Sequence, residues 1–146
     1  MSAGWLLDTS VLSSLAPYRP VIDTHLADWL RARAESLYLS AVTVVEIEQG
    51  VRKLRRAGGA DRADRLTAWL DVVIAGSGDR ILSLDRKVSR IAGALSDQAL
   101  AAGRHPGFAD IAIAATALAH DLVLLTRNAK HFGPLGVHFT DPADLA

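Results

Sequence analysis

Of the acids in this chain, Asp110 is the hardest to explain as an ordinary surface residue. It is the only charge in the run Gly107-Phe-Ala-Asp-Ile-Ala-Ile-Ala-Ala-Thr-Ala-Leu118. The run is otherwise apolar on nearly every side of a helix, which predicts a buried helix. Pro106 is a good first helical residue, so the helix should start close to it, with Asp110 in its second turn. A buried carboxylate without a partner costs on the order of several kcal/mol. No Lys or Arg lies between Pro106 and Arg127 to pair with it locally. Three resolutions stay open on the residues alone. A distant Arg folds back, the carboxyl keeps its proton, or Asp110 belongs to a cation-binding or catalytic site.

The elements around Asp110 read as alternating strands and helices. Gly4–Leu7 is a short buried strand ending at Asp8, and Thr9-Ser10 opens a short helical stretch toward Pro17. Val21–Ala34 reads as a helix through Ile22, Leu26, Trp29 and Leu30, and Ser36–Leu39 as a second strand. Ser40 is a plausible N-cap for a helix over Ala41–Ala57, which Gly58-Gly59 terminates. A further helix covers Ala60–Ala75, followed by a very short strand at Arg80–Leu82. Ser83 or Asp85 caps a helix running to about Ala102, ahead of the Asp110 helix. Leu122–Leu125 is a fourth strand, with a turn through Phe132 and a last edge strand near Val137–Phe139. This alternation predicts an α/β fold with a parallel sheet and helices on both faces.

In such sheets, ligands sit beyond the carboxyl ends of the strands. Asp8 and Asn128 occupy two of those ends, while Asp110 and Glu46 lie on helices able to face the same edge. Clustered acids repel one another unless a hard cation neutralises them, and Mg2+ or Mn2+ takes oxygen ligands and keeps several waters. Each residue also has a plainer reading. Asp8 serves equally as an N-cap and Asn128 as a turn residue. Glu46 is not singled out from Glu48, which lies nearer the apolar stripe Val44, Ile47, Val51 and Leu54. His120, His131 and His138 lack zinc-ligand spacing and read as surface or packing residues.

Composition fits one domain over residues 1–146. Half of the residues are hydrophobic, and 16 basic residues balance 16 acidic ones. Net charge therefore favours neither nucleic acid nor membrane. Arg52, Lys53, Arg55, Arg56, Arg62 and Arg65 nonetheless make a local basic patch. The absence of cysteine excludes a disulfide framework and a thiolate zinc site, and fits a cytoplasmic protein. The opening Met1–Asp8 lacks the pattern of a signal peptide, and no apolar run is long enough to span a bilayer.

Four segments together resemble the PIN-domain ribonucleases of the VapC/FitB toxin type. These are Leu6-Leu-Asp8-Thr-Ser10-Val-Leu12, Ser40-Ala-Val-Thr-Val-Val-Glu46-Ile-Glu-Gln-Gly50, Phe108-Ala-Asp110-Ile-Ala-Ile-Ala-Ala115 and Leu124-Leu-Thr126-Arg-Asn128-Ala-Lys-His131-Phe132. They fall in family order and cover almost the whole chain. The second segment selects Glu46 over Glu48, because the family's Glu stands four before Gly. The resemblance implies a three-layer α/β/α domain with a mostly parallel sheet of four to five strands. It implies hydrolysis of RNA phosphodiester bonds with Mg2+ or Mn2+ held by Asp8, Glu46 and Asp110. Ser10, Thr126, Asn128 and Arg127 would support those acids or position substrate. It also implies an antitoxin partner and a homodimer, or a larger complex with antitoxin. One departure stands out: the fourth acid that members often carry is replaced here by Asn128 and His131, which puts a two-metal site in doubt. Two rivals compete with this reading. One is a non-catalytic PIN-like module that binds RNA or protein. The other is a phosphoryl-transfer enzyme with Asp8 as nucleophile, against which Ser10 stands where haloacid-dehalogenase-like enzymes place a second Asp.

Overall fold

Successive side chains of a strand point to opposite faces of its sheet, and the leucine pairs of this chain use both. The computed structural model describes residues 4–17 and 23–145. In it β1 (Trp5–Leu7) pairs in parallel with β4 (Val123–Leu125), placing Leu6 beside Leu124 and Leu7 beside Leu125. Leu6 and Leu124 enter one hydrophobic core, and Leu7 and Leu125 enter the other. With both faces covered, the strands need apolar residues throughout rather than an alternating pattern.

Around this centre lie β2 (Leu37–Ser40), β3 (Ile81–Leu82) and β5 (Phe139–Thr140). The five-stranded order among the described residues is β3-β2-β1-β4-β5, and every pairing is parallel. One face carries α5 (Arg86–Ala101), α6 (Phe108–Ala119) and the short α7 (Ala129–Phe132), with Val88, Leu95, Ile113 and Phe132 in their core. The other carries α1 (Thr9–Ser13), α2 (Thr24–Ala32), α3 (Ala41–Arg56) and α4 (Ala60–Ser77), with Val11, Leu26, Trp29, Val51 and Leu70 in theirs. The three-layer arrangement expected from the sequence is the one observed. Among the described residues, no helix is long and apolar enough to cross a membrane.

Local signals account for most boundaries. Ser40 caps α3 by accepting from the Val42 amide, Asp85 caps α5 through Val88, and Asp23 caps α2 through Leu26. Gly4 leads into β1 where nothing larger fits, since a Cβ there would lie 2.6 Å from the Ser36 carbonyl oxygen. Asp121 adopts φ 51° in the turn from α6 to β4, a left-handed conformation that Asp tolerates better than most residues. It lies before β4, at the opposite end from Thr126 and Asn128.

Three expectations need correction. Pro106 does not begin α6: Gly107 is its N-cap and Phe108 its first residue, so Asp110 lies in the first turn rather than the second. A first-turn carboxylate sits beside amides that have no partner inside the helix, which favours it there. The helix expected over Val21–Ala34 is shorter where it is described, beginning at Thr24 and giving way after Ala32 to a 3-10 turn over Ala34–Ser36. Residues 21 and 22 lie outside the described residues. The last strand is at Phe139–Thr140, shifted from Val137–Phe139, because Leu124 and Leu125 pair with Phe139 and Thr140.

Candidate active site

Because β1 and β4 are neighbours and parallel, their carboxyl ends open side by side. The Asp8 amide donates to the Leu125 carbonyl at 3.0 Å, which fastens the two ends together. Asp8 is 4% exposed. It holds the N-cap position of α1, yet its side chain makes no capping hydrogen bond. Its Oδ2 instead accepts from the Ser10 hydroxyl at 2.8 Å and the Thr126 hydroxyl at 2.8 Å, with the Asn128 amide nitrogen at 3.5 Å. The plain N-cap reading thus describes the backbone of Asp8 but not its carboxylate. Fully buried Thr126 also accepts from the Asn128 amide at 2.9 Å, so one hydroxyl ties the acid to the turn after β4. Asn128 precedes α7 without capping it through its side chain.

Asp110 reaches the same edge from α6. Its side chain is 28% exposed, less buried than its apolar helix suggests, and His131 Nδ1 stands 3.3 Å from its Oδ2. His131 is therefore the partner that the sequence reading left unnamed, rather than a mere surface or packing residue. Its spacing inside the last motif was the available signal, but only folding brings α7 against α6. Burial raises the Asp110 carboxyl above its ordinary value of 3.8, the charge of His131 opposes that rise, and the charge of Asp8 adds to it. Asp8 and Asp110 thus feel each other electrostatically, the relation that two carboxylates show when they share a site.

Glu46 joins from α3. Its Oε1 accepts from the Thr9 hydroxyl at 2.6 Å, and the Thr9 and Thr43 hydroxyls are 3.0 Å apart. Glu48 pairs along the helix with Arg52 at 3.2 Å. The two glutamates, inseparable by periodicity, are distinguished by contact: Glu46 is tied to the residue after Asp8, and Glu48 is not. Thr9 and Thr43 are members of this cluster that the sequence reading did not name. Thr43 stands three before Glu46, on the same helical face, which was its one legible signal. Arg127 turns to Ser14, donating at 3.3 Å, and lies 4.0 Å from Asp23. In the basic patch, Arg55 pairs with Asp64 and Arg52 with Glu48, so acids partly neutralise it.

Among the described residues, no three His, Asp or Glu side chains form a ready coordination group. The donor chemistry nonetheless fits one hard cation. Mg2+ is held in many sites by one or two carboxylates and otherwise by water. Asp8 and Asp110 repel each other's ionised forms, a cost that a cation between them would remove. The hydroxyls on Asp8 Oδ2 hold that carboxylate in one orientation.

Known proteins resemble this chain in sequence and in fold. The sequence pattern of the PIN domain matches residues 5–133. VapC ribonuclease Y4jK of Sinorhizobium fredii is 36% identical over 145 residues, spanning 97% of this chain and 99% of that protein. Toxin FitB of Neisseria gonorrhoeae is 34% identical, spanning 94% of this chain and 96% of that protein. The crystal structure of FitAcB from Neisseria gonorrhoeae superposes with a TM-score of 0.83 at 33% identity, covering 97% of this chain and 99% of that one. With the four motifs in order, the parallel sheet and the acids at its carboxyl edge, the chain belongs to the PIN domain family.

Proposed function

We propose that this protein, a single PIN domain over residues 1–146, is a ribonuclease that hydrolyses RNA phosphodiester bonds with a divalent cation and acts as the toxin of a toxin–antitoxin pair in the cytoplasm. The observation that carries the reading is the buried Asp8 carboxylate, fixed by the Ser10 and Thr126 hydroxyls at the sheet edge to which α6 brings a second acid, Asp110. A protein gains no stability from holding two carboxylates in each other's field. A cation-dependent site needs that arrangement.

In this mechanism Asp8 and Asp110 would hold Mg2+ or Mn2+, with Glu46 completing the acidic cluster. When bound, the cation lowers the pKa of water and stabilises charge on the phosphate. The chain's own groups do the rest. Ser10 and Thr126 keep Asp8 in one orientation, which is the usual task of residues behind a metal ligand. Asn128 borders the same oxygen and fixes the turn after β4. Glu46, steadied by Thr9, accepts a proton or orients the attacking water. Arg127 stands at the rim, where a phosphate would compete for it with Ser14 and Asp23. Asn128 and His131, in place of a fourth acid, favour one tightly held ion over two.

The toxin type also implies an antitoxin that covers the site, and a homodimer that larger assemblies would build on. Support for an antitoxin comes from a groove of about 250 Å³ beside Glu46, lined by Thr9, Ile47, Val51, Leu66 and Trp69. An apolar segment seated there would bring a following basic side chain up to the acids.

The test is cleavage of a mixed cellular RNA pool by wild type and Asp8→Asn, with Mg2+, Mn2+ or EDTA. Discrete products that need both the cation and Asp8 are expected. A folded, antitoxin-free protein that cuts nothing with either metal would favour a non-catalytic module binding RNA or protein.

A further inference from the structure

We propose that the cleft beside Asp110 binds a backbone phosphate of the RNA next to the bond being cut, with Arg104 and Lys130 as the side chains that hold it. This rests on the ribonuclease reading and adds a substrate subsite to it.

The cleft has a volume of about 410 Å³ and is lined by Arg104, His105, Asp110, Lys130, His131 and Pro134, among others. One wall is the loop from α5 to α6, and the other is α7 with the turn after it. Residues distant in sequence thus place basic side chains on both walls. Arg104 reaches across, donating to the Pro134 carbonyl at 3.5 Å. A guanidinium carries five N–H donors, so this contact positions the group and leaves donors for a ligand. Among the described residues, neither Arg104 nor Lys130 forms an ion pair. The larger patch on α3 and α4 differs, since Arg52 and Arg55 already have acidic partners.

The cleft is also polarised. Asp110 lines it, and a phosphate beside that acid is repelled unless a cation intervenes, while Arg104 and Lys130 supply the opposite charge. His131 also lines the cleft, with its Nδ1 3.3 Å from Asp110. A polynucleotide places phosphates at successive positions. The scissile one then lies at the acids while its neighbour lies among the bases. The volume falls in the range of clefts that hold a small organic ligand. The apolar wall of Pro106, Pro134 and Leu135 suits the sugar or base attached to that phosphate. Contacts of this kind set register and affinity rather than sequence preference.

The test measures binding of a short fluorescent single-stranded RNA in EDTA across a salt series, alongside cleavage with Mn2+. The proteins are wild type, Arg104→Ala/Lys130→Ala and Arg86→Ala. Arg86 opens α5, roughly 24 Å from the cleft by helical rise, and controls for loss of a basic charge. Arg104 and Lys130 are exposed, so the double variant should fold, which its melting curve checks. Lys130→Gln alone provides a second, milder variant. Each lost phosphate contact should lower the slope of log affinity against log salt by roughly 0.7, which is about fourfold in affinity near 0.15 M salt. Because the two side chains hold one phosphate, the double variant should bind roughly fourfold more weakly and lose roughly 0.7 from the slope. Lys130→Gln should lose about half of that slope change, and Arg86→Ala little. Unchanged binding and slope in the double variant, or an equal loss in Arg86→Ala, overturns the subsite while cleavage by wild type keeps the ribonuclease reading. Wild type that neither binds nor cuts RNA overturns both.

Discussion

Thr126→Val isolates the hydroxyl that holds the candidate site together. Valine matches threonine closely in shape, and Thr126 is fully buried, so the substitution removes hydrogen bonds with little change in volume. One lost bond runs from the Thr126 hydroxyl to the Asp8 carboxylate, and a hydrogen bond to a charged group contributes about 1.5 to 3 kcal/mol. The other runs from the Asn128 amide to the same oxygen, a neutral bond of about 0.5 to 1.5 kcal/mol. Together they predict a loss of about 2 to 4 kcal/mol, or a fall in melting temperature of roughly 6 to 14 °C for a domain of this size. Thr126→Ser keeps the hydroxyl and removes one methyl, so it should cost only about 1 kcal/mol. Thermal melts of the two variants in EDTA decide between hydrogen bonding and packing. In an Asp8→Asn background the cost of Thr126→Val should shrink by about 1 kcal/mol or more, since the charged acceptor is gone. Cleavage should fall in Thr126→Val and persist in Thr126→Ser. A Thr126→Val protein that melts no lower than Thr126→Ser would refute the argument, because packing and not the hydroxyl would then hold Asp8.

Two further perturbations test the electrostatics and the sheet. The folded-state pKa of Asp110 is raised, so the folded protein binds more protons than the unfolded chain between 3.8 and that raised value, and stability falls as pH rises through the window. Asp110→Asn cannot titrate. In EDTA it should melt like wild type below the window and higher than wild type at neutral pH, and Mn2+ should raise the melting temperature of wild type more than that of the variant. A pH-independent difference between the two would contradict this. Gly4→Ala would press its Cβ onto the Ser36 carbonyl oxygen at 2.6 Å, where backbone must move, so a loss of about 1 to 3 kcal/mol in denaturant titration is expected. A neutral result would mean that β1 and β2 separate without cost.

Much of this protein could be read in its sequence because the relevant forces are local. Continuous apolar runs at Leu6-Leu7 and Leu124-Leu125 announce strands buried on both faces, and Ser40 and Asp85 announce helix starts by satisfying amides a few residues away. The four motifs, in order, pointed to the family. What local pattern left open were choices between neighbours of equal local merit. Periodicity alone did not choose between Glu46 and Glu48; the motif chose Glu46, and folding then brings Thr9 of α1 onto Glu46 while Glu48 pairs with Arg52. The partner of Asp110 was invisible because His131 lies 21 residues further on, beyond β4, and meets it only when α6 and α7 pack on one face of the sheet. Whether the Asp8 carboxylate caps α1 was equally hidden, because Thr126, which holds it away from the helix amides, arrives from β4. Local propensity and hydrophobic pattern thus determined which elements form. Long-range packing decided which polar groups meet, since a carboxylate's partners depend on distances of a few ångströms between segments far apart in the chain.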